Sequence, residues 1–147
     1  MAPQHPLLLV EDSPEDREAT TRALTRAGLA NPIYWCGNGD EALDYLFQRG
    51  KYADAAQSPR PSVILLDLNM PGTDGREVLA EVKNTAHLKA IPIIVLTTST
   101  DERDIAACYE MGANSYVKKP VDLEGFMLAV QRLKDYWFEV VILPKQT

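Results

Sequence analysis

Five side chains of the kinds that handle divalent cations and phosphoryl groups stand at matching places in this chain. They are Glu11, Asp12, Asp67, Thr97 and Lys119. Glu11-Asp12 closes the apolar run Leu7-Leu8-Leu9-Val10, and Asp67 closes Val63-Ile64-Leu65-Leu66. Thr97 closes Pro92-Ile93-Ile94-Val95-Leu96, and Lys119 follows Ser115-Tyr116-Val117-Lys118. Three carboxylates gathered in one cleft repel one another, and a divalent cation removes the repulsion. An all-oxygen set with open positions suits Mg²⁺ (or Mn²⁺), which binds through one or two carboxylates plus a phosphate. A carboxylate can also accept a phosphoryl group as an aspartyl phosphate. Such transfer is catalysed mostly by positioning and charge neutralisation. Lys119 offers a positive charge to the phosphoryl oxygens, and Thr97 offers a hydroxyl donor.

Taken singly, each residue has a simpler reading. Asp67 can cap a turn, Glu11-Asp12 can be helix-start acids, Thr97 can be structural, and Lys119 can be a surface lysine. Their joint arrival at the ends of four separate strands favours a shared cleft.

The runs that carry them read as strands. Val63 to Leu66 has no polar alternation, as expected of a central parallel strand buried on both faces. Pro71-Gly72 and Asp74-Gly75 then turn the chain, which puts Asp67 on the rim where open α/β sheets bind ligands. Ile33 to Cys36 is a weaker strand. Between the strands lie helices. Ser13 with Pro14 starts the first, with Ala19, Ala23, Leu24 and Ala27 inward and Gly28 closing it. Asp40 is the expected cap of the second, with Ala42, Leu43, Leu46 and Phe47 inward. Arg76 to Lys83 is the third, Asp101 to Met111 the fourth, and Asp122 caps a fifth with Leu123, Phe126, Val130 and Leu133 on one face. Arg49 to Pro61 reads as an exposed loop. Strands alternating with helices predict right-handed crossovers and a parallel sheet covered on both sides.

The 147 residues suit one domain. A net charge of −6 without a basic run disfavours DNA as a partner. No apolar run approaches the roughly 20 residues that span a bilayer, and the first residues lack the pattern of a signal peptide. Cys36 and Cys108 have no metal-type spacing and read as buried thiols of a cytoplasmic protein.

Leu9-Val10-Glu11-Asp12, Leu66-Asp67-Leu68-Asn69-Met70-Pro71 with Asp74-Gly75, Thr97-Thr98 and Lys118-Lys119-Pro120 resemble the receiver domain of two-component response regulators. The resemblance runs from about Leu7 to Leu133. It implies a flavodoxin-like, doubly wound sheet of order 2-1-3-4-5. It implies Asp67 as the phosphoacceptor for a histidine kinase, in a phosphoacceptor signalling protein that slowly removes its own phosphate. Glu11, Asp12 and Asp67 would hold the cation, with the backbone carbonyl of Asn69 as a further ligand. Thr97 would be the switch hydroxyl, Lys119 the phosphate-binding lysine and Tyr116 the aromatic switch. A cis Lys119-Pro120 bond is implied as well. Asn69 and Ser99, two residues beyond Asp67 and Thr97, occupy positions at which this family tunes dephosphorylation.

The long 49–61 loop and the tail Tyr136-Trp137-Phe138-Glu139-Val140-Val141-Ile142-Leu143-Pro144 look like the small response regulators that serve bacterial and cyanobacterial phytochromes. A phytochrome kinase is then the expected partner, and a single receiver, core 7–133 with an extension 134–147 and no output domain, the expected organisation. The tail's apolar residues predict either a fold-back over the domain or, the favoured reading, a homodimer through helix four, strand five, helix five and the tail. Three rivals fit less well. An Asp-nucleophile phosphatase wants Asp-x-Asp where this chain has Asn69, a phosphate-blind interaction module wants a degenerate pocket where every position is filled here, and a nucleotide-binding protein wants a glycine-rich loop after the first strand.

Overall fold

The computed structural model describes residues 5–70, 72–119 and 122–144. Five strands alternate with five α-helices: β1 Leu7–Val10, α1 Pro14–Arg26, β2 Ile33–Cys36, α2 Gly39–Phe47, β3 Val63–Leu66, α3 Gly75–Lys83, β4 Ile93–Thr97, α4 Glu102–Met111, β5 Ser115–Lys118 and α5 Leu123–Asp135. The strands form one sheet in the order β2-β1-β3-β4-β5, the order the resemblance implies, and every neighbouring pair is parallel.

Alternation of side chains along each strand divides the core in two. Leu8, Val10, Ile64, Leu66, Ile93 and Val95 face α2, α3 and α4, where they meet Ala42, Leu46, Val78, Leu79, Val82 and Cys108. Leu7, Leu9, Val63, Leu65, Ile94 and Leu96 face α1 and α5, where they meet Ala19, Ala23, Leu24, Phe126 and Val130. Both cysteines are free and buried, and burial pushes the Cys36 thiol up to about 12, out of the range of thiolate chemistry.

The helices start where capping chemistry places them. Ser13 accepts from the Asp16 amide with Pro14 behind it, and Asp74 accepts from the Arg76 and Glu77 amides. Asp101 and Asp122 cap α4 and α5. The second helix corrects the sequence reading. Its cap is Asn38, whose side chain accepts from the Glu41 amide. Asp40 lies in the first turn and instead accepts from the Thr73 hydroxyl at 2.6 Å. Gly39 makes that approach possible, because a Cβ there would stand 2.1 Å from the Thr73 carbonyl oxygen.

The 49–61 loop is not simply exposed. It contains a 3-10 turn, Gly50–Tyr52, and a buried Ser58 whose hydroxyl reaches the Tyr52 and Asp54 carbonyls. The buried Tyr45 also donates its hydroxyl to the Pro59 carbonyl at 2.8 Å.

The tail takes the fold-back reading in part. After α5 the chain makes a five-residue π turn, Tyr136–Val140. Trp137 is buried in the α1–α5 layer, with Phe138, Val141 and Leu143 half-buried against it. Fold-back therefore absorbs much of the tail, because this side of the sheet has two helices and room for an indole. Leu128, Tyr136, Val140 and Ile142 remain exposed.

Candidate functional site

The parallel register brings the strand ends level. Val10 lies opposite Leu66, and Thr97 opposite Lys118. The Asp67 amide donates to the Val10 carbonyl at 3.0 Å, and the Lys119 amide to the Thr97 carbonyl at 2.7 Å. The residues just past the strands thus converge on one edge of the sheet. Gly75 allows α3 to begin directly beneath them. A Cβ there would stand 2.2 Å from the Asp67 carbonyl oxygen, so the Asp74-Gly75 pair both caps the helix and clears its path.

Glu11, Asp12 and Asp67 each offer a carboxylate oxygen within 4.8 Å of the others. Glu11 and Asp67 are buried, and Asp12 is half-buried. Lys119, also buried, reaches into this trio. Its Nζ lies 2.6 Å from Glu11 Oε1, 3.0 Å from Asp16 Oδ2 and 3.8 Å from Asp67 Oδ2. The other Glu11 oxygen, Oε2, is buried with no hydrogen-bond partner. An orphaned carboxylate oxygen in a cluster of acids is what a divalent cation would satisfy, and the all-oxygen donor set fits a hard cation.

Electrostatics follow from this crowding. Burial first, then the facing Asp67 carboxyl, push Glu11 up to about 9. Burial also raises Asp67, although Glu11, Lys119 and the Asn69 amide oppose it. Burial alone would lower Lys119, but its contacts with Glu11 and Asp67 outweigh that and hold it above its ordinary value.

The neutral groups form a second layer. The Asn69 amide donates to Asp67 Oδ1 at 3.3 Å, and its side chain donates from Nδ2 to Thr97 Oγ1 at 3.1 Å. The Ser99 amide also donates to Thr97 Oγ1, at 3.3 Å. Tyr116 is half-buried against the α2–α4 layer and donates its hydroxyl to the Ser99 carbonyl at 3.0 Å. Every residue singled out from the sequence therefore lies at this end of the sheet. The implied cis Lys119-Pro120 bond falls on Pro120, outside the described residues.

Two participants were not singled out. Asp16, an acid in the first turn of α1, is a second close partner of Lys119. The signal was available, since α1 begins two residues past Asp12 and its first turn must overhang the pocket. Trp35 donates its indole N–H to the Glu11 carbonyl at 2.8 Å, and the Arg17 guanidinium stacks on its ring at 3.9 Å. Beside the acids a cleft of about 630 Å³ opens between α1 and α5, lined by Asp16, Arg22, Thr98, Lys118 and Lys119 among others. No helix among the described residues is long and apolar enough to cross a membrane.

Known proteins resemble this chain along nearly its whole length. The response regulator receiver domain family matches residues 7–131. The response regulator Rcp1 of Synechocystis sp. is 42% identical over 142 residues, covering 97% of this chain and 95% of Rcp1. The crystal structure of its Mn(2+)-bound form superposes with a TM-score of 0.90, over 96% of this chain and 99% of that one. The phosphorylated cyanobacterial phytochrome response regulator RcpA is 38% identical, with a TM-score of 0.91 over 97% of this chain and 100% of that one. The bacteriophytochrome response regulator AtBRR is 42% identical, with a TM-score of 0.74 over 98% of this chain and 100% of that one.

Proposed function

The chain belongs to the response regulator receiver family, and from that premise we propose that Asp67 is its phosphoacceptor, charged by a histidine kinase. The observation that carries this reading is the meeting of Asp67, the orphaned Glu11 oxygen and Lys119 at one sheet edge. In the transfer, an Asp67 carboxylate oxygen forms a bond to phosphorus as the bond from phosphorus to the kinase imidazole nitrogen breaks. The electron pair of the broken bond leaves with the imidazole. Lys119 supplies positive charge to the incoming phosphoryl oxygens, and Thr97 supplies a hydroxyl.

Glu11, Asp12 and Asp67 would hold Mg²⁺, with the Asn69 carbonyl as a further ligand. When bound, the cation neutralises the acids and the charge on the transferring group. The chain's own part is to keep water low around Asp67 and to hold Lys119 within reach. Slow hydrolysis, in which water attacks phosphorus and the Asp67 carboxylate leaves with the bonding pair to release inorganic phosphate, completes the cycle in place of turnover of a separate substrate.

The kinase is proposed to be a phytochrome. RcpA and AtBRR, both named as phytochrome response regulators, match nearly the full length of this chain. Residues 7–133 act as the receiver in the cytoplasm and 134–147 as its extension. Thr97 and Tyr116 carry the switch to the face of α4, β5 and α5. A homodimer on that face would cover Leu128, Tyr136, Val140 and Ile142, which are exposed in the single chain. Transfer of labelled phosphate from phosphorylated phytochrome kinases tests the assignment. Label should move to the native chain and not to Asp67→Asn. Label reaching the variant equally would refute it.

A further inference from the structure

Beyond the pocket, α3 and α4 are joined to the 97–101 loop by one charged group. Arg76 on α3 grips Asp104 on α4 with two nitrogens, Nη2 at 2.8 Å and Nε at 3.2 Å. This paired geometry is the strong form of the guanidinium–carboxylate contact. The Arg76 hydrogen bonds, then that of Ser99, hold the Asp104 carboxyl below its ordinary value. Asp104 Oδ2 accepts the Ser99 hydroxyl at 2.9 Å. Ser99 in turn is the hub of the switch elements. Its amide donates to Thr97 Oγ1, and its carbonyl receives the Tyr116 hydroxyl. A charge-assisted contact between two helices is thus wired, through one serine, to both the switch hydroxyl and the switch aromatic.

We propose that Arg76 and Asp104 are positioning residues for the phosphoryl-responsive loop: by holding Ser99 they keep Thr97 on Asn69, the residue that bonds Asp67, and keep Tyr116 packed inward, the arrangement that receives a phosphoryl group. The inference rests on Asp67 being the acceptor. Neither Arg76 nor Asp104 belongs to the acid trio, so each should affect phosphoryl recognition and leave cation binding alone. Because Arg76, which also lies 3.5 Å from Asp74, reaches Ser99 through Asp104, losing both partners should forfeit no more than losing Asp104 alone.

The test is the affinity of the full-length protein for beryllofluoride, a phosphoryl mimic, followed by fluorine NMR in saturating Mg²⁺. Mg²⁺ affinity and thermal unfolding are measured alongside. Arg76→Gln and Asp104→Asn should each weaken beryllofluoride by roughly tenfold, the scale of a charged hydrogen bond, with Mg²⁺ affinity unchanged. The double variant should be no weaker than Asp104→Asn. Native-like beryllofluoride affinity in both single variants, even with lowered unfolding temperature, would show the ion pair to be structural and overturn the proposal. Additive losses, or parallel loss of Mg²⁺ affinity, would overturn it too. If the native protein itself fails to bind beryllofluoride with Mg²⁺, the acceptor assignment fails first and the inference falls with it.

Discussion

Lys119 Nζ stands 2.6 Å from Glu11 Oε1 but 3.8 Å from Asp67 Oδ2. The lysine is thus held more tightly by an acid of the cation cluster than by the proposed acceptor. It balances a buried group of acids, and the same charge lies one small movement from Asp67.

Removing that charge should cost stability. Lys119→Met leaves buried carboxyls without their cation, a loss of about 3 kcal/mol or more. Urea denaturation in EDTA should show it. Mg²⁺ should restore part of the loss by binding the folded state. A deficit indifferent to Mg²⁺ would count against a shared electrostatic site.

Glu11 gives the pocket a pH signature. Its carboxyl is raised from 4.5 to about 9 in the folded chain. A carboxyl raised on folding contributes stability that is fully present below its unfolded value and is lost as pH rises through the folded one. The cation-free protein should therefore lose stability between about pH 4.5 and pH 9. A cation must displace the Glu11 proton, so Mg²⁺ affinity should rise over the upper part of that window, by at most about tenfold per pH unit. Calorimetry in buffers of different ionisation enthalpy should record proton release on binding. Flat affinity from pH 6 to about pH 9 would contradict a protonated Glu11.

The tail has two separable roles. Trp137→Ala should destabilise the chain by about 3–5 kcal/mol, as for a large aromatic removed from a core, because Trp137 is buried. Val140→Glu with Ile142→Glu should leave unfolding nearly unchanged, since both residues are exposed. The same pair of changes should shift a dimer to monomer in light scattering. A native chain that stays monomeric at tens of micromolar, phosphorylated or not, would remove the dimer.

The sheet and its polar edge were legible in the sequence because each central strand is an unbroken apolar run that stops on a polar residue. Asp67 and Thr97 could be aligned on that ground alone, whereas Lys119 follows the half-buried, mixed edge strand β5. What stayed hidden depends on pairing across elements. Asp16 looks like any helix-start acid until β5 delivers Lys119 to it. Arg76 and Asp104 are 28 residues apart and meet only when α3 and α4 pack side by side. Asn38 rather than Asp40 caps α2, because the helix begins at Gly39 and leaves Asp40 in its first turn, where it accepts from Thr73. The tail's apolar residues read as surplus because no periodicity reveals the space that α1 and α5 leave for Trp137.

The central claim, that Asp67 accepts phosphate in a cation-dependent pocket, is tested most directly by intact-protein mass spectrometry after incubation with acetyl phosphate. With Mg²⁺ the native chain should gain the mass of one phosphoryl group. With EDTA it should gain none, and Asp67→Asn should gain none in either condition. Undiminished phosphorylation of Asp67→Asn, or of the native chain in EDTA, would contradict the account.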